Sequence, residues 1–322
     1  MSTDTSTLPA SPQAPRTRPG NLRRGAVRVV LRQHRRAIQV AGVLLGLALV
    51  AAVMMRWVGV EDGSPLRTRM RSLTEDVAFV ALVGPMLLGA FVAGPMVARE
   101  LESGTYKLAW AQGVSPARWL VAKLGVAAGL AVAGWVLLGV TYRVGLGAFE
   151  AAPFQWHQAH SYAASGIAGT AYALLGVAFG ALAALLVRRT VVAMGVTVVV
   201  TGGVLLALGR IREYLWPVVT LARREGPSSV MGIVPSQWET SYGMLTESGR
   251  RLDWEHCWTE AASTAYPDPK TCMAARGAVE HYSDVHPESH FWPLQLVETG
   301  IVVVLGAGAV WLAFRVLRRL HG

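Results

Sequence analysis

Six stretches of about twenty residues, each nearly free of charge, decide what this chain can fold into. They cover residues 37–58, 77–98, 120–142, 166–187, 191–209 and 297–314. A helix of about 20 mostly apolar residues crosses the hydrocarbon core of a bilayer because it satisfies every backbone donor and acceptor within itself. The pattern predicts an all-α membrane protein with six transmembrane helices. The first stretch is too long for the apolar core of a secretory signal and has no clear small-residue cleavage site behind it, so it reads as a retained span. Hydrophobic residues make up 52% of the 322 and charged residues 16%. Their gathering into runs, without strand or helix periodicity, is what marks membrane composition.

Charge orients the bundle. The tail up to Arg36 nets +7, the segment 99–123 nets +2, the Arg188–Arg189 pair +2, and the tail with Arg315, Arg318 and Arg319 +3. The loop 56–76 and the loop with Arg143 and Glu150 are neutral, and the segment 210–298 nets −4. Lys and Arg collect in cytoplasmic loops. Both termini and the 99–123 turn are therefore expected in the cytosol, with a large extracytoplasmic segment between helices five and six. Membrane orientation also accounts for the net charge of +10. The arginines flank spans and no aromatic residues interleave them for base stacking, so nucleic acid is not an expected partner.

The chain divides into three parts. Residues 1–20, rich in Ser, Thr and Pro, read as a disordered cytosolic tail. Residues 21–36 repeat arginine at helical spacing (Arg24, Arg28, Arg32, Arg35), with Leu22, Ala26, Val29 and Val30 on another side. They read either as an amphipathic basic connecting helix or as a plain positive anchor. Residues 37–322 form the six-helix domain, with 210–296 as its outer cap. In that cap, "YLWPVVTLA" (214–222) suits a re-entrant helix. Cys257 and Cys272 lie on the oxidising side, where a disulfide closing about 15 residues contributes roughly 3 kcal/mol.

The turn "RELESGTYKLAWAQGVSPARWLVAK" (99–123) carries its own punctuation. Gly104 suits a helix end, and Thr105 an N-cap for a two-turn helix that Gly113 closes. Ser115 followed by Pro116 opens the third span. Tyr106, Leu108, Trp110 and Gln112 give the short helix no charged face. Two readings stand: an interfacial helix resting on headgroups through Trp110 and Trp119, or a helix offered to a cytosolic protein.

The span interiors carry no ionisable residue. Arg56, Lys123, Arg143 and Glu298 fall at ends, where long side chains reach water. That disfavours a proton-driven carrier. No GxxxxGK[ST] loop is present, so any ATP is bound by a partner. His157, His160, His256, His281, His286 and His290 come without H-E-x-x-H or C-x-x-C, and there is no G-x-S-x-G, so neither a metal site nor a catalytic site is expected. The competing reading is a membrane-anchored sensor or outer-face enzyme that uses the 210–296 cap.

The stretch "GPMVARELESGTYKLAWAQGVSPARWLVAKLG" resembles the first cytosolic turn of bacterial ABC-2 type permeases, the membrane subunits of ABC exporters, especially those of actinomycetes. There an E-x-E-x-G-T element, here Glu100, Glu102, Gly104 and Thr105, leads into a coupling helix. "TCMAARGAVEHYSDVHPESHFWPLQLVET" is similar to the segment before their last span, with Cys272, Phe291, Trp292 and Gln295 matching. The resemblance implies a permease subunit of an ATP-driven exporter in the bacterial plasma membrane, with no cofactor on this chain and ATP on the partner. Two copies of an ATP-binding subunit would dock at Glu100, Glu102, Gly104, Thr105, Tyr106, Leu108, Trp110 and Gln112. A second permease, identical or related, would complete the path. Glu100 and Glu102 are left to cap or pair with Lys107 and Arg118, or to meet basic residues on the partner.

Overall fold

Uncharged runs bounded by Ser-Pro and Gly signals become long helices. A computed structural model describes residues 32, 35–57, 64–149, 155–224, 236–262 and 265–319. The tail 1–20 lies outside the described residues, as does the 21–36 segment apart from Arg32, Arg35 and Arg36.

Among the described residues, six helices are long and apolar enough to cross a membrane. They are α1 (Arg35–Trp57), α2 (Pro65–Ser103), α4 (Pro116–Leu146), α6 (Ala168–Val187), α7 (Thr190–Ile211) and α10 (Phe291–Arg319). The short helix α3 (Tyr106–Ala111) joins α2 to α4, and α5 (Ala159–Ser165) precedes α6. The second span begins at Pro65, well before residue 77. Ser64 caps it by accepting the Arg67 N–H at 3.2 Å, and Pro65 takes the first helical position. The charged turn that follows hides this start from a reading by hydropathy.

Helix α6 is the hub. Small residues let α2, α4, α7 and α10 approach it closely. On α2 a π turn over Gly89–Ala93 follows Pro85. A Cβ at Gly89 would lie 2.3 Å from the Gly176 carbonyl oxygen, so the two backbones touch and glycine is required there. Between α6 and α7, Arg188 takes a left-handed conformation (φ 55°), turning the chain in a tight antiparallel hairpin.

The segment after α7 corrects the all-α expectation. It contains a four-stranded antiparallel sheet of β1 (Val219–Arg224), β2 (Trp238–Thr246), β3 (Arg251–Asp253) and β4 (Ala278–His286), in the order β1-β4-β2-β3. The "YLWPVVTLA" stretch is no re-entrant helix. Pro217 ends helical structure and its Val-Thr run pairs with β4, Val219 opposite Val285 and Arg224 opposite Glu280. Helices α8 (Trp254–Ala262) and α9 (Pro269–Ala275) flank the sheet, joined by a Cys257–Cys272 disulfide with Cα atoms 5.7 Å apart. The sheet meets the bundle through aromatic residues. Trp156 donates to the Ser236 carbonyl at 2.7 Å, and His157 stacks on Trp238 at 5.2 Å.

A second correction concerns charge. Lys123 and Glu298 were expected to reach water at span ends; both are buried in the bundle, paired with Glu100 and Arg212 respectively.

Candidate functional site

At the end of the bundle where α2, α4, α7 and α10 meet the α3 connection, two left-handed glycines make a double elbow. Gly104 (φ 73°) ends α2 and Gly113 (φ 84°) follows α3. Any Cβ is strained at both. Thr105 holds helical dihedrals and makes no capping bond, because its Oγ1 lies 2.9 Å from Ser103 Oγ instead, so it is not the expected side-chain cap. The first turn of α3 is held by tight backbone bonds, Lys107 N–H to Gly104 O and Leu108 N–H to Thr105 O, both 3.1 Å. Ser115 does cap α4, accepting the Arg118 N–H at 3.4 Å, with Pro116 first in the helix.

The two acids brace this elbow, Glu100 from a partly buried position and Glu102 at the surface. Glu100 accepts from Lys123 Nζ at 2.7 Å through Oε1 and from the Trp119 indole N–H at 2.7 Å through Oε2. Lys123 also donates to the Met96 carbonyl, and its ammonium lies 5.2 Å from the Trp119 ring centroid. Glu102 reaches the start of α7, where Oε2 accepts the Thr190 N–H at 3.0 Å and the Thr190 hydroxyl at 2.5 Å. A carboxylate at a helix N-terminus satisfies a donor with no intrahelical partner and opposes the helix dipole. The acids therefore link α2 to α4 and α7; Lys107 and Arg118 are not their partners.

Aromatic rings fix α3 against the bundle. Tyr106 and Trp110 meet edge-on at 4.3 Å, and Trp110 and Trp119 at 6.2 Å. Both α3 rings pack on a core that includes Val97, Leu120, Leu185 and Leu317. The eight residues singled out by sequence thus separate. Glu100, Glu102, Tyr106 and Trp110 bind the elbow to the bundle and Gly104 turns it. Thr105, Leu108 and Gln112 face outward, Leu108 being 66% exposed. Arg99, Lys107, Arg118, Arg188 and Arg189 are exposed at the same end. Sequence reasoning missed Trp119, Lys123 and Thr190 as partners. The first two stand one turn apart on α4, but no local spacing connects them to Glu100.

At the opposite end, Glu298 accepts Arg212 Nε at 2.7 Å, Arg212 Nη2 at 3.0 Å and the Tyr172 hydroxyl at 2.6 Å. Gln295 beside it accepts the Ala168 N–H and donates to the Tyr162 carbonyl, both at 2.9 Å. His286 and His290 face each other Nδ1 to Nδ1 at 3.0 Å. Among the described residues no group of three or more His, Cys, Asp or Glu could hold a metal ion.

Residues 61–212 match the family model described as ABC-2 membrane transporter related. The match runs from the approach to α2 to the end of α7 and so contains the whole braced elbow. The second sequence resemblance, over 271–299, lies beyond it. A comparison with curated proteins finds no match.

Proposed function

Starting from a chain that its 61–212 region identifies as an ABC-2 type permease, a component of membrane transport, we propose that it is the membrane subunit of an ATP-driven exporter. A separate ATP-binding subunit docks on the outward face of α3. The observation that carries this reading is the brace: α3 continues α2 through one elbow, and the end of α2 is tied to α4 by Glu100 and to α7 by Glu102. A push on Leu108 from a partner therefore reaches three spans together. The exposed bases at this end favour a cytosolic elbow, and the disulfide favours an extracytoplasmic sheet. Two such chains, identical or related, would pair with two ATP-binding subunits in a bacterial plasma membrane and line the path between them. The sheet would shape the exit.

The test is co-purification of the tagged full chain from its host in mild detergent. Wild type retains a nucleotide-binding subunit. Leu108→Asp changes only an outward residue, so it leaves the melting temperature unchanged and loses that subunit. A well-folded wild type with no nucleotide-binding partner, or a Leu108→Asp chain that keeps one, removes the docking role from α3.

A further inference from the structure

The first turn of α4 and the last turns of α10 enclose a groove of about 460 Å³, lined by Ser115, Pro116, Ala117, Phe314, Leu317 and Arg318. That volume falls in the range of ligand clefts, roughly 300–1,000 Å³. Leu317 belongs to the bundle core and Phe314 packs against it, so the floor is apolar. None of the six lining residues is acidic, and Arg318 is the one charge among them. Arg118 and Arg315 are exposed on the same two helices.

The depth of the groove follows from α10. Trp311 is 54% exposed and shares a helical stripe with Phe314 and Arg318, being three and seven residues before them. The Arg315 guanidinium lies over its ring at 5.3 Å. An exposed Trp with a neighbouring Arg near the end of a spanning helix sits at headgroup level. The groove opens within two turns of it toward the helix end, on its water side, at the level of the phosphates.

We propose that this groove binds an anionic phospholipid, with an acyl chain against Phe314, Leu317, Pro116 and Ala117 and the phosphate on Arg318. The combination decides the occupant. An apolar protein segment filling the groove would strip water from Arg318 without supplying an anion. A phospholipid offers both, and basic pockets between transmembrane helices suit such headgroups.

The full chain, purified in mild detergent, is titrated with phosphatidylglycerol or phosphatidylcholine, and bound lipids are counted by native mass spectrometry. Wild type retains phosphatidylglycerol preferentially, and less of it as salt rises. Arg318→Gln lowers phosphatidylglycerol affinity roughly fivefold, the effect of one cation at a membrane surface, and leaves phosphatidylcholine unchanged. Ala117→Leu fills the groove and lowers both. Arg319→Gln, exposed on the same helix outside the groove, changes neither. Equal effects of Arg318→Gln and Arg319→Gln would assign the preference to a diffuse basic belt and overturn the site. So would an Ala117→Leu chain that loses a co-purifying protein and no lipid.

Discussion

Glu298 has no exposed surface, yet both of its oxygens are bonded, by Arg212 and Tyr172. Arg212 also lies over the Tyr162 ring at 3.8 Å. A buried ion pair is strongly destabilised when one partner is removed, because the remaining charge stays buried alone. Glu298→Ala should therefore cost about 3–5 kcal/mol in denaturant unfolding of the full chain. The double change Glu298→Leu with Arg212→Leu should recover most of it, since replacing both charges by apolar groups is often neutral. A Glu298→Ala chain as stable as wild type would show that water reaches Arg212. Outside the spans, His157 stacks on Trp238 and burial holds its imidazole below the usual range. The unfolded chain then binds more protons, so this contribution is complete above pH ~6.5 and is lost as pH falls below that value. Melting temperature should drop between pH 7 and 5, and His157→Gln should flatten that drop; an unchanged slope would place the titration elsewhere.

At the scale of elements, the contact between α2 and α6 is backbone on backbone. A Cβ at Gly180 would lie 2.4 Å from the Gly89 carbonyl oxygen, and one at Gly176 would lie 2.1 Å from that of Pro85. Gly180→Ala must push the helices apart and should destabilise by about 1–3 kcal/mol. Gly195→Ala on α7, with nothing within 4 Å of its Cβ, should be neutral or stabilising by up to about 1 kcal/mol. Thermal melts of the two variants check the contrast, and equal melts would mean that α2 and α6 separate freely. Elements that announce themselves locally were legible in the sequence: the uncharged runs, Gly104 and Gly113, and Ser115–Pro116. The sheet was not. Its central strand β4 is buried over Tyr282, Ser283, Asp284, Val285 and His286 in succession, so it shows no alternation. Its partners β1 and β2 lie far away in sequence. The same distance concealed the ion pairs. Lys123 and Glu298 look like span ends until folding brings Glu100 and Arg212 beside them.

Over the whole molecule, what matters is whether the elbow moves as one body with its spans. Lys123 is buried and holds both Glu100 and the Met96 carbonyl, so the α2–α4 link has its charged part inside the bundle, while the face of α3 proposed for docking lies outside. These functions are separable by substitution. Leu108→Asp should lose the ATP-binding partner while the link remains intact. Glu100→Gln should keep the partner, because the outward face is unchanged, and loosen the link by the loss of one charged hydrogen bond, about 1.5–3 kcal/mol. That corresponds to a roughly ten- to hundredfold smaller population of braced elbow. In proteoliposomes carrying the partner, ATP hydrolysis by the partner bound to Glu100→Gln should then persist while substrate moved per ATP falls. If hydrolysis and transport fall together, the acid serves docking rather than transmission. If neither changes, force reaches the spans through the continuous backbone of α2 alone, and the bonds of Glu100 and Glu102 are structural.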